Sequence, residues 1–351
     1  IIKNVSDFLH TNMKRMGFQM KLIMFGVDDK EVQYAKEWAT KTGNEVKLVR
    51  EQLTTSTIDL VEGFDGISVL QTSKIDDPAI YTKLKQFGIK QLSTRTAGFD
   101  MFDLELAKKN GLKITNVSIY SPRAIAEMGL THAMYLLRRI GEFKERMVND
   151  ADFRWSKDLV SNEIYNQTVA IVGLGHIGGA TAQIYKALGA RVIAVTRETS
   201  VVYAPYVDAF VDLETALKEA DIITLHVPLT SSTENMFAAP QFKQMKNNAI
   251  LINMARGQVV NTNDLIAALK NHEIAGAGLD TLGDETTYFS KKVSPADVPA
   301  DFKELVAMPN VVVTPHVAFM TTTAVRNMVQ VSLNDVAAIV EGKNVKNEVR
   351  F

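Results

Sequence analysis

The stretch TVAIVGLGHIGGATAQIYKALGARVIAVT, residues 168 to 196, joins an apolar run, a glycine-rich turn, a helical pattern and a second apolar run. This order is typical of a βαβ unit whose two strands lie parallel in one sheet. Gly173, Gly175 and Gly178 fit the pattern G-x-G-x-x-G. The first glycine permits a tight turn, the second lets a pyrophosphate approach the backbone, and the third lets the helix pack on the strand. The motif therefore predicts a dinucleotide held at the positive end of the helix dipole.

The residues after the second strand bear on which coenzyme is bound. Many such sites place an acidic residue there to hold the adenosine ribose hydroxyls, but this chain has Thr196. A threonine does not repel a 2′-phosphate, and the guanidinium of Arg197 can bind one. We therefore predict that NADP(H) is favoured or that both coenzymes are used, with NAD(H) the alternative if Arg197 is only a solvated charge offset by Glu198. His176 and Ile177, inside the turn, complete the cofactor contacts predicted for this unit.

Outward from this unit, apolar runs of strand length alternate with helical patterns along the chain. Val/Ile-rich runs buried on both faces are typical of parallel strands. The predicted strands are 21 to 27, 45 to 50, 65 to 72, 90 to 95 and 112 to 117 in a first set, and 168 to 173, 190 to 196, 220 to 228, 247 to 255, 275 to 282 and 310 to 316 in a second. The sequence thus predicts an α/β fold with two doubly wound parallel sheets of the Rossmann type.

Two helical patterns set the predicted domain boundaries. Ser121 can cap a helix whose first position is Pro122, and the chain crosses there into the second domain. The helical pattern that follows His316 is long enough to return and pack on the first domain, which makes the first domain discontinuous. The predicted domains are therefore an N-terminal extension of uncertain origin (1–19), a substrate domain (20–121 and 320–351) and a dinucleotide-binding domain (122–319).

Composition disfavours several classes of partner. Of 351 residues 46% are apolar, and 39 basic residues balance 40 acidic ones. No strong field is available to hold nucleic acid or an anionic membrane, and no apolar run approaches the roughly 18 residues of a membrane helix. The chain has no cysteine, which excludes disulfides and Cys-ligated zinc and suits the cytoplasm. We predict a cytoplasmic protein with no metal site.

Three charged residues follow strands of the second set. Arg256 comes after the run 247 to 255, Glu285 after 275 to 282, and His316 closes 310 to 316. Because ligands of an open parallel sheet lie beyond the carboxyl ends of its strands, we expect all three in one cleft. Taken singly, each has a structural alternative: the arginine can cap a strand, the glutamate can be one more loop acid, and the histidine can be structural. Together beside a nucleotide motif, they favour catalysis.

These residue types suit the reduction of a 2-oxo acid, which presents a carboxylate beside a ketone. Arg256 can bind the carboxylate and polarise the carbonyl. His316 is the natural proton donor near neutral pH, and a carboxylate from Glu285 would orient it and favour its protonated form. A nicotinamide coenzyme supplies the hydride.

The chain resembles the D-2-hydroxyacid dehydrogenases, within them the D-lactate and D-hydroxyisocaproate branch of lactic acid bacteria. The matching segments are TRTAGFD, ITNVSIYSPRAIAE, VGLGHIG, LHVPLT, INMARG and TPHVAFMTTTAVRNM. The resemblance implies the same roles for Arg256, Glu285 and His316. It also implies a homodimer built on the nucleotide domains, with the helix after Pro122 at the interface.

The resemblance further implies substrate and cofactor contacts that spacing alone does not reveal. Backbone around Ala97 and Gly98 would hold the substrate carboxylate, Tyr120 and Phe319 would line the pocket, and Asp280 would lie near the nicotinamide carboxamide. The predicted cofactor contacts outside the glycine-rich unit are Val227, Pro228, Ala255 and Asp280.

Two positions depart from the lactate-specific members of this family. Where those members have an Asp, this chain has Thr196, which supports an altered coenzyme preference. Where they have a Tyr, this chain has Leu70. Leu70 is shorter than Tyr and lacks the hydroxyl, so we expect a wider, drier pocket that favours phenylpyruvate or 2-oxoisocaproate over pyruvate. A phosphoglycerate-type dehydrogenase and a catalytically silent nucleotide-sensing protein of the same fold are the alternative functions.

Overall fold

The computed structural model describes residues 19–71, 73–198 and 200–350. The chain divides into two compact units, one of Ile1–Tyr120 with Thr322–Phe351 and the other of Ser121–Thr321. The predicted N-terminal extension lies outside the described residues except for Gln19, and so does Thr72, the last residue of the predicted third strand.

The first unit is a parallel sheet covered by helices. Its strands are β1 (Lys21–Phe25), β2 (Glu45–Leu48), β3 (Gly66–Val69), β4 (Gln91–Thr94) and β5 (Lys113–Thr115). Between them lie helices α1 (Asp29–Thr42), α2 (Pro78–Gln86) and α3 (Leu104–Lys109). The order within the described part of this sheet is β2-β1-β3-β4-β5, so the strand order reverses beside β1, where α/β sheets bind ligands.

The second unit is a larger parallel sheet. Its strands are β6 (Thr168–Val172), β7 (Arg191–Val195), β8 (Ala209–Phe210), β9 (Ile222–Leu225), β10 (Ile250–Asn253), β11 (Gly276–Leu279) and β12 (Val311–Val313). Across the described residues they run in the order β12-β11-β10-β9-β6-β7-β8, so the order reverses between β6 and β9. Every described pair is parallel, and β6 lies in register with both β7 and β9. The glycine-rich turn after β6 thus lies at the point where such sheets bind nucleotides.

Helices cover both faces of the second sheet. They are α4 (Pro122–Leu137), α5 (Ile140–Asn149), α6 (His176–Ala187), α7 (Leu213–Glu219), α8 (Ala239–Phe242), α9 (Thr262–Lys270) and α10 (Ala300–Ala307). Helix α4 begins as the sequence predicts, since Ser121 accepts a hydrogen bond from the amide of Ala124 and Pro122 fills the first position.

The last helix, α11 (Thr322–Val340), belongs to the first unit and completes it. Asn334 on α11 accepts a 2.8 Å hydrogen bond from the indole of Trp38 on α1. Ser332 pairs at 2.8 Å with Ser68 on β3, and both side chains are buried. The predicted fold class is therefore confirmed, including the discontinuous first domain. Over the described ranges, no helix is long and apolar enough to cross a membrane.

Candidate active site

The three glycines of the turn after β6 differ in their surroundings. Gly173 has φ +97°, and a Cβ there would lie 2.9 Å from the backbone of His226. A Cβ on Gly178 would lie 1.9 Å from the carbonyl oxygen of Gly173, because the helix packs directly on the turn. A Cβ on Gly175 would meet no described atom within 4 Å. Two glycines are therefore required by the fold, whereas the second faces space that suits a pyrophosphate.

The other predicted cofactor residues surround this turn. Helix α6 begins at His176, whose Nδ1 lies 3.2 Å from the hydroxyl of Tyr203, and Ile177 follows in its first turn. After β7, Thr196 donates a 2.8 Å hydrogen bond to the carbonyl of Glu198, and Arg197 is exposed. The remaining predicted contacts follow β9 and β10: Val227, Pro228 and the buried Ala255.

The predicted catalytic residues follow three adjacent strands. Arg256 comes after β10, Glu285 after β11 and His316 after β12. Because these strands are parallel, all three residues lie beyond the carboxyl edge of the sheet. Arg256 is exposed, and its Nη1 donates to the carbonyl of Ala255 at 3.0 Å.

The loops that carry Arg256 and Glu285 pack backbone against backbone. A Cβ on Gly257 would lie 1.9 Å from the carbonyl carbon of Leu282, so only glycine fits beside this crossing chain. Gln258 Nε2 also donates to the carbonyl of Gly283 at 2.9 Å. The sequence of the β10 loop therefore fixes where the β11 loop lies, and with it the glutamate.

Glu285 and His316 form a hydrogen-bonded pair. The histidine Nδ1 lies 2.6 Å from Glu285 Oε1, and Glu285 Oε2 accepts from the amide of Leu282 at 2.9 Å. The glutamate side chain is 13% exposed and the imidazole 39% exposed. Because a carboxylate only accepts hydrogen bonds, the histidine donates through Nδ1 and presents Nε2 to a ligand. This arrangement matches a proton donor held by an orienting carboxylate.

Asp280 holds the backbone turn on which His316 lies. His316 has φ +55°, a conformation that few residues other than glycine adopt. The amides of Val317 and Ala318 each donate to the Asp280 carboxylate at 3.0 Å, and Thr314 Oγ1 donates to it at 2.5 Å. Burial raises the pKa of Asp280, while these three hydrogen bonds lower it.

The predicted carboxylate-binding loop lies in the first unit, directly after β4. Thr96 Oγ1 donates to the carbonyl of Gly98 at 2.7 Å, and Asn116 Nδ2 donates to the carbonyl of Ala97 at 2.6 Å. Because side chains engage these carbonyls, the peptide orientation of the loop is fixed before any ligand arrives.

Three predicted pocket residues are half-buried. Leu70 follows β3, and its backbone packs against Gly26, where a Cβ would lie 2.1 Å from the carbonyl oxygen of Leu70. The carbonyl of Tyr120 accepts a 2.7 Å hydrogen bond from Asn327. Phe319 lies in the second unit, three residues beyond His316.

Comparison with known proteins identifies the family of this chain. The model of the D-isomer specific 2-hydroxyacid dehydrogenase family, NAD binding domain, matches residues 130–318. The D-lactate dehydrogenase of Streptococcus agalactiae is 41% identical over 92% of this chain and 97% of that one. This chain belongs to the D-2-hydroxyacid dehydrogenase family.

Solved structures support the same assignment to the D-2-hydroxyacid dehydrogenases. D-lactate dehydrogenase with NAD⁺ from Lactobacillus jensenii is 49% identical, with a TM-score of 0.91 over 95% of this chain and 100% of that one. A D-2-hydroxyisocaproate dehydrogenase is 36% identical, with a TM-score of 0.89 over 94% of this chain and 99% of that one. The resemblance inferred from the sequence is thereby confirmed.

Sequence reasoning missed one residue of this candidate site. Thr314, two residues before His316, connects β12 to the Asp280 carboxylate. A hydroxyl residue placed just before the histidine in TPH is the available signal, but its partner comes from another strand. In the described part of the chain, no group of three or more His, Cys, Asp or Glu residues could hold a metal ion.

Proposed function

We propose that this chain is a cytoplasmic enzyme that reduces 2-oxo acids to D-2-hydroxy acids with a reduced nicotinamide coenzyme. The observation that carries the proposal is the Glu285–His316 pair at the carboxyl edge of a sheet whose glycine turn suits a dinucleotide. Relatives about 40% identical to this chain are named D-lactate dehydrogenase. The D configuration proposed for the product rests on that likeness.

The roles of the charged side chains follow from the charges of the reaction. Arg256 binds the substrate carboxylate and polarises the neighbouring carbonyl. The coenzyme, when bound, supplies a hydride to the carbonyl carbon. His316 donates the Nε2 proton to the carbonyl oxygen, so the ketone gains one hydride and one proton and becomes an alcohol. Glu285 keeps the imidazole oriented and compensates the positive charge that it carries before the transfer.

The two units divide the work in this proposal. Residues 122–319 bind the coenzyme and carry the proton donor and Arg256, and 20–121 with 320–351 contribute further substrate contacts. Backbone amides around Ala97 and Gly98 take the carboxylate, a role supported by the fixed loop carbonyls. Asp280 lies near the nicotinamide carboxamide, as the family resemblance implies.

Coenzyme choice and substrate size are finer parts of the proposal. The chain accepts NADPH at least as well as NADH, because Thr196 replaces a carboxylate and the exposed Arg197 can pair with a 2′-phosphate. It favours bulky 2-oxo acids such as phenylpyruvate or 2-oxoisocaproate, because Leu70 is shorter than the Tyr of the lactate-specific members and lacks its hydroxyl.

A homodimer built on the second unit completes the proposal. Large apolar side chains are exposed in and after α5, including Phe153 (72%), Trp155 (98%) and Val160 (74%). Exposed apolar surface of this kind marks a protein interface. Sedimentation of the purified chain should show a dimer, and Trp155→Glu should shift it toward monomer. A monomeric parent protein would contradict this assignment.

The proposed activity is tested by removing the proton donor. We expect His316→Ala to lower kcat for pyruvate or phenylpyruvate reduction by about 100-fold or more. The variant should still bind the coenzyme, as measured by quenching of protein fluorescence. Glu285→Gln keeps a hydrogen-bond acceptor without the charge and should lower kcat less. Turnover of His316→Ala near that of the parent protein would favour the alternative, a catalytically silent nucleotide-sensing protein.

A further inference from the structure

His132 on α4 lies against β11 in a space that only glycine leaves open. The imidazole is 2% exposed. A Cβ on Gly278 would lie 2.7 Å from the His132 Cβ and 3.2 Å from its Nδ1. Any larger residue at that strand position would therefore push the imidazole away. An apolar side chain would fill the same volume without the cost of burying polar ring nitrogens. Packing alone therefore does not explain a histidine at this position.

The direction of the hydrogen bonds around Thr314 identifies which ring nitrogen of His132 carries the proton. Thr314 Oγ1 donates its single proton to the Asp280 carboxylate at 2.5 Å. His132 Nε2, 3.2 Å from the same oxygen, must therefore be the donor in that contact. Burial lowers the pKa of His132 to about 4, so one ring proton is present at neutral pH. Its Nδ1 is buried and has no hydrogen-bond partner among the described residues.

The chain of donors ends at the backbone that carries the proposed acid. From His132 it runs through Thr314 to the Asp280 carboxylate, which the amides of Val317 and Ala318 also contact. The His316 amide in turn donates to the carbonyl of Asp280 at 2.8 Å. Because His316 occupies a left-handed backbone conformation, these contacts hold the imidazole in place.

We propose that His132 is a positioning residue for the reaction, acting through Thr314 and Asp280 on the turn that carries His316. The inference rests on the proposed function, since it assigns His132 a part in placing the proton donor. A donor at His132 Nε2 polarises the Thr314 hydroxyl and strengthens its bond to the carboxylate. The clamp on the turn is complete while Asp280 is ionised, since it then accepts all three hydrogen bonds.

The inference is tested with a pair of variants at one position. His132→Leu removes the donor at similar volume, and His132→Gln restores an N–H that can reach Thr314. We expect His132→Leu to lower kcat by about tenfold, the kinetic equivalent of one lost hydrogen bond, with little change in KM, and His132→Gln to recover most of it. Tyr185→Phe, which removes a buried hydroxyl with no partner among the described residues, is the matched control and should leave kcat unchanged.

The pH profile separates positioning from general destabilisation. The groups that face the Asp280 carboxylate are Thr314, the amides of Val317 and Ala318, and the imidazole of His316. Losing the His132 donor weakens the Thr314 hydrogen bond that lowers the Asp280 pKa, so this pKa rises. The acid limb of kcat should therefore move to higher pH in His132→Leu and not in Tyr185→Phe.

Thr314→Val provides the second arm of a double-mutant cycle. If His132 acts through Thr314, the double variant should be no slower than Thr314→Val alone. Additive losses, or a His132→Leu variant with kcat, KM and acid limb within twofold of the parent protein, would overturn the inference. Should His316→Ala abolish turnover while His132→Leu leaves it intact, the proposed function stands and only the inference fails.

Discussion

Thr196 tests whether a single side chain sets coenzyme preference. Thr196→Asp places a carboxylate where a 2′-phosphate would lie, and the two negative charges repel. We expect the ratio of kcat/KM for NADPH over NADH to fall by about tenfold or more. Thr196→Asn, of similar size and without charge, is the control and should keep a ratio near that of the parent protein. An unchanged ratio in Thr196→Asp would remove the argument for NADPH.

Leu70 tests substrate size. Leu70→Tyr adds a ring and a hydroxyl in the space proposed for the substrate side chain, so it should lower kcat/KM for phenylpyruvate more than for pyruvate. Each methylene equivalent that the larger substrate can no longer bury costs about 0.8 kcal/mol. Leu70→Met keeps an apolar side chain of similar volume and should preserve the ratio of the two substrates. Equal effects of Leu70→Tyr on both substrates would mean that this position does not line the pocket.

At the residue scale, the sequence predicted what depends on local geometry. The three different surroundings of Gly173, Gly175 and Gly178 agree with the roles assigned from the motif. The contact of Thr314 with Asp280 was not predictable, because it joins residues 34 positions apart that follow two different strands. Pairings of that kind depend on how strands align in the sheet, which a single sequence does not specify.

At the scale of elements, strand-length apolar runs predicted every described strand except β8. That strand has two residues, Ala209–Phe210, at the sheet edge, too short for any apolar pattern. Strand order was also beyond prediction, because it depends on long-range pairing. The last helix was predicted correctly, because its apolar spacing persists over Thr322–Val340. This helix packs on the first sheet.

A buried ion pair joins two elements of the first unit, and no pattern in the sequence indicates it. Arg95, after β4, has a fully buried side chain, and its Nε donates to Glu31 on α1 at 2.7 Å. Its Nη2 also donates to the carbonyl of Phe25 at 2.9 Å. Arg95 immediately precedes the loop at Ala97, so the pair anchors the base of the proposed carboxylate site.

Removing one partner of this pair leaves a buried charge without compensation. We expect Glu31→Ala to lower the free energy of unfolding by about 3–5 kcal/mol, measured by urea titration. Asp29→Ala removes the exposed ion pair between Asp29 and Arg50, two residues before Glu31 on the same helix. Its effect on the free energy of unfolding should be much smaller. Equal stabilities of Glu31→Ala and Asp29→Ala would contradict the anchoring role.

At the scale of the molecule, two histidines make stability depend on pH. Burial lowers the pKa of His132 to about 4 and that of His226 to about 3, below the value of about 6.5 in an unfolded chain. The unfolded state therefore binds more protons between these values, and stability falls as the pH drops from about 6.5 toward 4, by about 1.4 kcal/mol per pH unit for each histidine. The raised pKa values of Asp280 and Asp335 oppose this trend in the range where carboxyls titrate.

Calorimetry at pH 7.0 and pH 5.5 checks this dependence. The melting temperature should be lower at pH 5.5, and His132→Leu should reduce the difference because it removes one of the two protonation sites. A melting temperature that is equal or higher at pH 5.5 would show that these imidazoles are not buried in the neutral form.

The activity proposed for this chain is the reduction of 2-oxo acids to D-2-hydroxy acids. The most direct test is initial-rate oxidation of NADPH and of NADH with pyruvate and with phenylpyruvate, followed by chiral chromatography of the product. We expect one D-hydroxy acid formed per coenzyme oxidised, with the highest kcat/KM for phenylpyruvate and NADPH. An L product, or no coenzyme oxidation with any of the four combinations, would contradict the proposed activity.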